Sequence, residues 1–110
     1  MNAEERRARE LVYERSGGCC ERCGQWGVTY DHRKPRSQGG DWAPSNGMAL
    51  CGNGTMGCHG WKEHHPRAAA TLGFRVWSHE TPRKVPVFRR GRMVFLDDKG
   101  GFSERQPDGD

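Results

Sequence analysis

No stretch of this chain is apolar for long enough to span a bilayer, and its opening residues, MNAEERRARE, carry charge where an export signal carries an apolar segment. Core-forming residues are also scarce. Only 33% of the 110 residues are hydrophobic and the mean hydropathy is −0.99, so little apolar surface is available to drive folding. Between Gly17 and Gly60 glycine is dense and the alternation expected of an ordinary sheet is missing. A chain this short and this polar needs a staple, which means a disulfide, a metal or a partner.

Without an export signal the expected location is the cytoplasm, where thiols stay reduced and grouped cysteines more often hold metal than form disulfides. Five cysteines are present, Cys19, Cys20, Cys23, Cys51 and Cys58. Cys20 and Cys23 form a C-x-x-C followed by Gly24, and the glycine-rich GNGTMG loop between Cys51 and Cys58 allows the second pair to close on the same ion. Four thiolates close a tetrahedral shell, which is the pattern of a structural zinc. Cys19 is a spare thiol. A redox reading of Cys19, Cys20 and Cys23 lacks the strand-helix-strand pattern that a thioredoxin-like site needs.

The chain has 18 basic and 14 acidic residues, a net charge of +4, and a pI near 9.0. That bias suits a polyanionic partner and equally suits a plain basic protein.

Periodicity predicts a helix over residues 2–15, with Ala8, Leu11 and Val12 on its apolar stripe and Ser16-Gly17-Gly18 as its stop. Short strands are expected at Val28 to Arg33 and Met48 to Leu50. A helix is expected from about Gly57, carrying His59, Trp61 and Glu63, and Pro66 either breaks it or opens a second helix ending at Gly73. Phe74 to Trp77, Val85 to Phe88 and Met93 to Leu96 read as strands, with Arg89-Arg90-Gly91-Arg92 as a hairpin turn. The expected organisation is one α+β domain: an N-terminal helix over 1–16, a zinc-stapled core over 17–73, C-terminal strands over 74–102 and a frayed polar tail over 103–110.

The remaining reactive residues lie inside the cysteine frame. Asp31 and His32 are adjacent, and on an extended segment they point to opposite sides, so that one can hold a metal while the other faces a water. His59 follows Cys58 directly. Phosphodiester hydrolysis needs a water that can lose a proton, a cation against the developing charge, and help for the leaving oxygen. A neutral histidine and a hard divalent ion held by a carboxylate and an imidazole supply these.

In DHRKPRSQGG, SNGMALC and GCHGWKEHHP, the order Cys-Cys, Asp-His, Asn, Cys, Cys-His resembles the HNH endonucleases, in the form found in small phage and prophage proteins. The resemblance spans about residues 18 to 73. It implies a ββα-metal fold with the signature letters on His32, Asn46 and His59. His32 would be the general base, Asp31 and His59 would bind a catalytic magnesium or manganese, and Asn46 would pin the intervening loop. Cys20, Cys23, Cys51 and Cys58 would hold structural zinc. Where family members place a second helix ligand one turn on, this chain has Glu63, with His65 as the alternative. The resemblance further implies DNA as substrate and a setting beside phage terminase and portal proteins.

Arg33, Lys34, Arg36, Lys62 and Arg67 cluster near these residues and are expected to contact phosphate. Trp42 is expected to anchor the loop before Asn46, and Trp26, Trp61 and Trp77 to pack in the core or around the zinc. The Arg89–Arg92 turn is either an exposed tip or a second phosphate contact. The competing functional class is a zinc module that binds nucleic acid or protein without catalysis.

Overall fold

Asn2 starts the first helix, α1 (Ala3–Ser16), by accepting the Glu5 amide at 2.8 Å, with Glu4 and Glu5 in the positive first turn. Gly17, at φ 66, ends it by returning its N–H to the Glu14 carbonyl. In this computed structural model, which describes residues 1–106, three helices and two small antiparallel sheets follow one another around that start. The buried stripe of α1 is narrow, Ala8, Val12 and Ser16, with Leu11 only partly covered.

Strands β1 (Val28–His32) and β2 (Gly47–Cys51) pair antiparallel, from Val28 opposite Cys51 to His32 opposite Gly47. Every residue of β2 is buried, because α1 and the next helix cover its two faces. That helix, α2 (Gly57–His64), ends at His65, and Pro66 opens α3 (Pro66–Thr71). The break follows from proline sterics, which push the preceding residue out of the helical region; His65 sits at φ −132.

Phe74 to Trp77 is not a strand. Phe74 and Val76 are buried in alternation, but the Phe74 and Arg75 amides close the end of α3 on the Ala69 carbonyl and the Val76 amide goes to Arg33, leaving no ladder. The second sheet is β3 (Val87–Arg89), β4 (Arg92–Leu96) and β5 (Phe102–Ser103) in that order. Val85 closes a 3-10 turn over Pro82–Lys84 instead of starting β3. The hairpin turn narrows to Arg90 and Gly91, both at positive φ. Ser103, expected in the frayed tail, pairs with Phe95; the rest of that expectation reaches into 107–110, outside the described residues.

The core joins both sheets: Met48, Leu50, Ala69, Phe74, Val87, Val94 and Leu96 pack with Cys20, Cys51 and Cys58. Glu21 ties the layers together from within. It is fully buried, takes a forked pair of bonds from Arg15 at 2.7 and 2.9 Å and one from Arg89 at 2.8 Å, and accepts the Ala49 amide. No described helix is long and apolar enough to cross a membrane.

Candidate functional site

The tight turn after Cys20 and the return of β2 bring four cysteines together. The sulfurs of Cys20, Cys23, Cys51 and Cys58 all lie within 4.8 Å of one another, while Cys19 stands outside the group. Cys23 Sγ and Cys51 Sγ are 3.6 Å apart. Thiolates about 2.3 Å from a tetrahedral ion stand ~3.8 Å apart, so the donor set fits a metal such as zinc. Backbone amides aim at the sulfurs: Arg22 and Cys23 toward Cys20 at 3.4 Å, Cys58 toward Cys51 at 3.3 Å. Burial pushes the Cys20 thiol up, but amides of Cys23, Cys51 and Arg22 outweigh it and bring the group down to about 7. Arg22 caps the cluster, donating to Cys58 Sγ at 3.3 Å with its guanidinium 3.7 Å over the Trp61 ring.

A second group joins Asp31 of β1 to two residues of α2. One oxygen of Asp31, one ring nitrogen of His59 and one oxygen of Glu63 fall within 4.8 Å of one another. His59 and Glu63 meet because residues four apart share a helix face, and β1 delivers Asp31 opposite them. His65 is not in the group. Asp31 is buried and Glu63 is exposed, so the three open toward solvent on one side.

Thr29, two residues before Asp31 on the same strand face, sets the His59 ring. Its hydroxyl donates to the Gly52 carbonyl at 2.9 Å, so its oxygen accepts from His59 Nδ1 at 2.8 Å. The network thereby assigns the proton to Nδ1 and turns Nε2 toward Asp31 Oδ1, 3.2 Å away. Once Nε2 is protonated it donates to the Asp31 carboxylate, and this bond to the charged ring raises the His59 pKa above its ordinary 6.5. Strand alternation was the signal that could have found Thr29.

His32 faces an aromatic box. Its ring centroid is 4.4 Å from that of Trp42 and 5.3 Å from that of Tyr30. Burial holds its pKa below 6.5, and Nε2 is buried with no hydrogen-bond partner among the described residues. Arg9 from α1 stacks 5.2 Å from both the Tyr30 and Trp42 rings, and Arg36 stands 5.6 Å from the Trp42 ring. Tyr30, Asp31, His32, Arg36, His59, Lys62 and Glu63 line one open cavity of about 260 Å³.

The Asn46 side chain closes the loop between the strands, accepting the Lys34 amide at 2.8 Å and donating to the Lys34 and Asp41 carbonyls. Two expected phosphate contacts are corrected. Arg33 is fully buried, and its guanidinium donates to the carbonyls of Gly73, Ser45, Pro82 and Val85, so it holds loops and has no path to a phosphate. Lys62 is 2% exposed and bound within the protein. Lys34 sends its ammonium to the Ser78 carbonyl, while Arg36 and Arg67 are exposed. Trp26 is 76% exposed, packed on neither core nor cysteines, whereas Trp61 packs edge to face on Phe74. The Arg89–Arg92 turn divides: Arg89 is buried on Glu21, and Arg90 binds backbone carbonyls.

Comparison with protein-family models, with curated proteins and with solved structures returns no match, so the reading of this site stands on its own residues.

Proposed function

We propose that the chain is a metal-dependent endonuclease of the HNH type, built on a ββα-metal unit of β1, β2 and α2, that hydrolyses DNA phosphodiester bonds. The observation that carries this reading is the convergence of Asp31, His59 and Glu63 with His32 on one open cavity. A closed thiolate group and an open carboxylate-imidazole group in one small domain suit two metals with different tasks. Zinc at the cysteines would join the Glu21, Arg33 and Asn46 networks in ordering residues 17–60.

Asp31, His59 and Glu63 offer oxygen and imidazole donors that fit magnesium or manganese. Such an ion would supply positive charge to a phosphate oxygen and to the leaving oxygen. His32 is the proton acceptor. Its depressed pKa keeps it neutral near pH 7, and because Nε2 is buried away from solvent, Nδ1 is the nitrogen that takes the proton from water. Trp42 and Tyr30 hold the ring in place. Arg36 and Arg9, flanking Trp42, replace Arg33 and Lys62 as the cations nearest the path of a nucleic-acid strand.

The test is nicking of supercoiled plasmid with magnesium, manganese or no added metal, run beside His32→Ala. Metal-dependent nicking lost in the variant supports the reading. Equal cleavage by both proteins removes His32 from its role, and DNA binding without cleavage under any ion indicates a non-catalytic zinc module instead.

A further inference from the structure

Lys62 is a buried cation to which the hydrolytic scheme gives no task. Its ammonium stands 2.7 Å from Asp31 Oδ2 and donates to the His32 carbonyl at 2.5 Å, so a single side chain of α2 grips both members of the Asp-His pair. Helical spacing explains how it gets there. Lys62 lies four residues after buried Cys58 and shares its inward face, while His59 and Glu63 occupy the neighbouring face.

Asp31 thus shows its two oxygens to different groups. Oδ1 faces His59 Nε2 at 3.2 Å, and Oδ2 faces Lys62 at 2.7 Å without a further hydrogen-bond partner among the described residues. A carboxylate with one oxygen covered by a buried ammonium has one oxygen left to offer a cation.

We propose that Lys62 sets the ion selectivity of the Asp31, His59 and Glu63 group, by restricting Asp31 to one-oxygen coordination and so favouring magnesium and manganese over calcium. This rests on the reading of that group as a divalent-ion site. Calcium takes about six to eight oxygens and accepts both oxygens of one carboxylate readily, whereas magnesium requires near-octahedral geometry with one oxygen per ligand. The ammonium also offsets one of the two carboxylate charges, which weakens the binding of every divalent ion and leaves geometry to choose among them. Buried as it is, Lys62 acts through Asp31 and is a positioning residue.

The experiment is calorimetric titration of the full chain, its cysteine cluster loaded with zinc, with magnesium, manganese and calcium, for the wild type and Lys62→Met, with folding checked by circular dichroism. The wild type is expected to bind calcium no more tightly than magnesium. In Lys62→Met every ion gains affinity and calcium gains most, moving the calcium-to-magnesium affinity ratio by about tenfold, the scale on which partners of metal ligands act. An unchanged ratio in a folded variant overturns the proposal. So does tighter calcium than magnesium binding in the wild type, an arm that decides the matter even if the variant does not fold. Absence of any divalent binding by the wild type overturns the metal-site reading itself and this inference with it, and is distinct from a site that binds ions without the expected selectivity.

Discussion

His32 and Trp42 meet edge to face, with ring centroids 4.4 Å apart and planes at 71°. The indole is the wall that fixes the imidazole, since Nε2 has no hydrogen-bond partner among the described residues to do so. On the proposed reading of His32 as the base, Trp42→Ala is therefore expected to lower the single-turnover cleavage rate by about 100-fold, the cost of letting a reacting group wander by ~1 Å. Trp42→Phe, which keeps an aromatic wall, should recover most of it. An unchanged rate in Trp42→Ala would separate the box from the chemistry.

Arg33 and Arg36 lie three residues apart and should behave oppositely. Arg33→Ala strands the carbonyls of Gly73, Ser45, Pro82 and Val85 and should cost at least ~3 kcal/mol in urea denaturation. Arg36→Ala should leave the midpoint nearly unchanged. In fluorescence anisotropy with labelled DNA it should weaken binding and reduce the slope of log affinity against log salt by about 1. Reversed effects would mean that the burial of Arg33 does not govern its role.

Glu21 links acid sensitivity to the core. Burial alone would raise its carboxyl pKa, but the hydrogen bond and charge of Arg15, then Arg89, hold it below the ordinary 4.5. A carboxylate depressed in the folded state adds stability that is fully present above its unfolded pKa and is lost as pH falls through the lower folded value. Glu21→Gln should cost about 3–5 kcal/mol near pH 7, because two buried guanidiniums lose their counter-charge. Denaturation midpoints measured from pH 7 downward should then fall less steeply in the variant than in the wild type.

The cysteine cluster predicts a response to chelation. Stripping metal with a strong chelator should abolish the near-UV circular dichroism of the chain, and added zinc should restore it. A spectrum indifferent to chelator would show that the four thiols pack without a metal.

What could be read in the sequence was whatever local spacing encodes. The C-x-x-C, the Asp31-His32 pair, His59 with Glu63 one turn on, and the limits of α1 all follow from short-range periodicity, and the structure brings the corresponding groups together. Arg33 and Lys62 misled because a basic side chain suggests solvent, yet period was against it: Arg33 falls two residues after buried Asp31 and Lys62 four after buried Cys58. The aromatic box was out of reach for another reason. It joins Arg9, Tyr30, His32 and Trp42 from α1, β1 and a loop, and no local pattern announces contacts between segments so far apart. Phe74 to Trp77 has the alternation of a strand, but its amides go to the Ala69 and Arg33 carbonyls and to the Glu80 carboxylate and not to a ladder.

The guanidinium of Arg90 binds the carbonyls of Ser16, Cys19 and Cys20, holding a non-glycine residue at φ 48 in the hairpin turn. During synthesis, then, the first cysteine loop leaves the ribosome long before the residue that clasps it. A nascent chain can gather its thiols early but gains the Arg90 clasp only once the hairpin has emerged, so the end of the chain acts as the latch on its beginning.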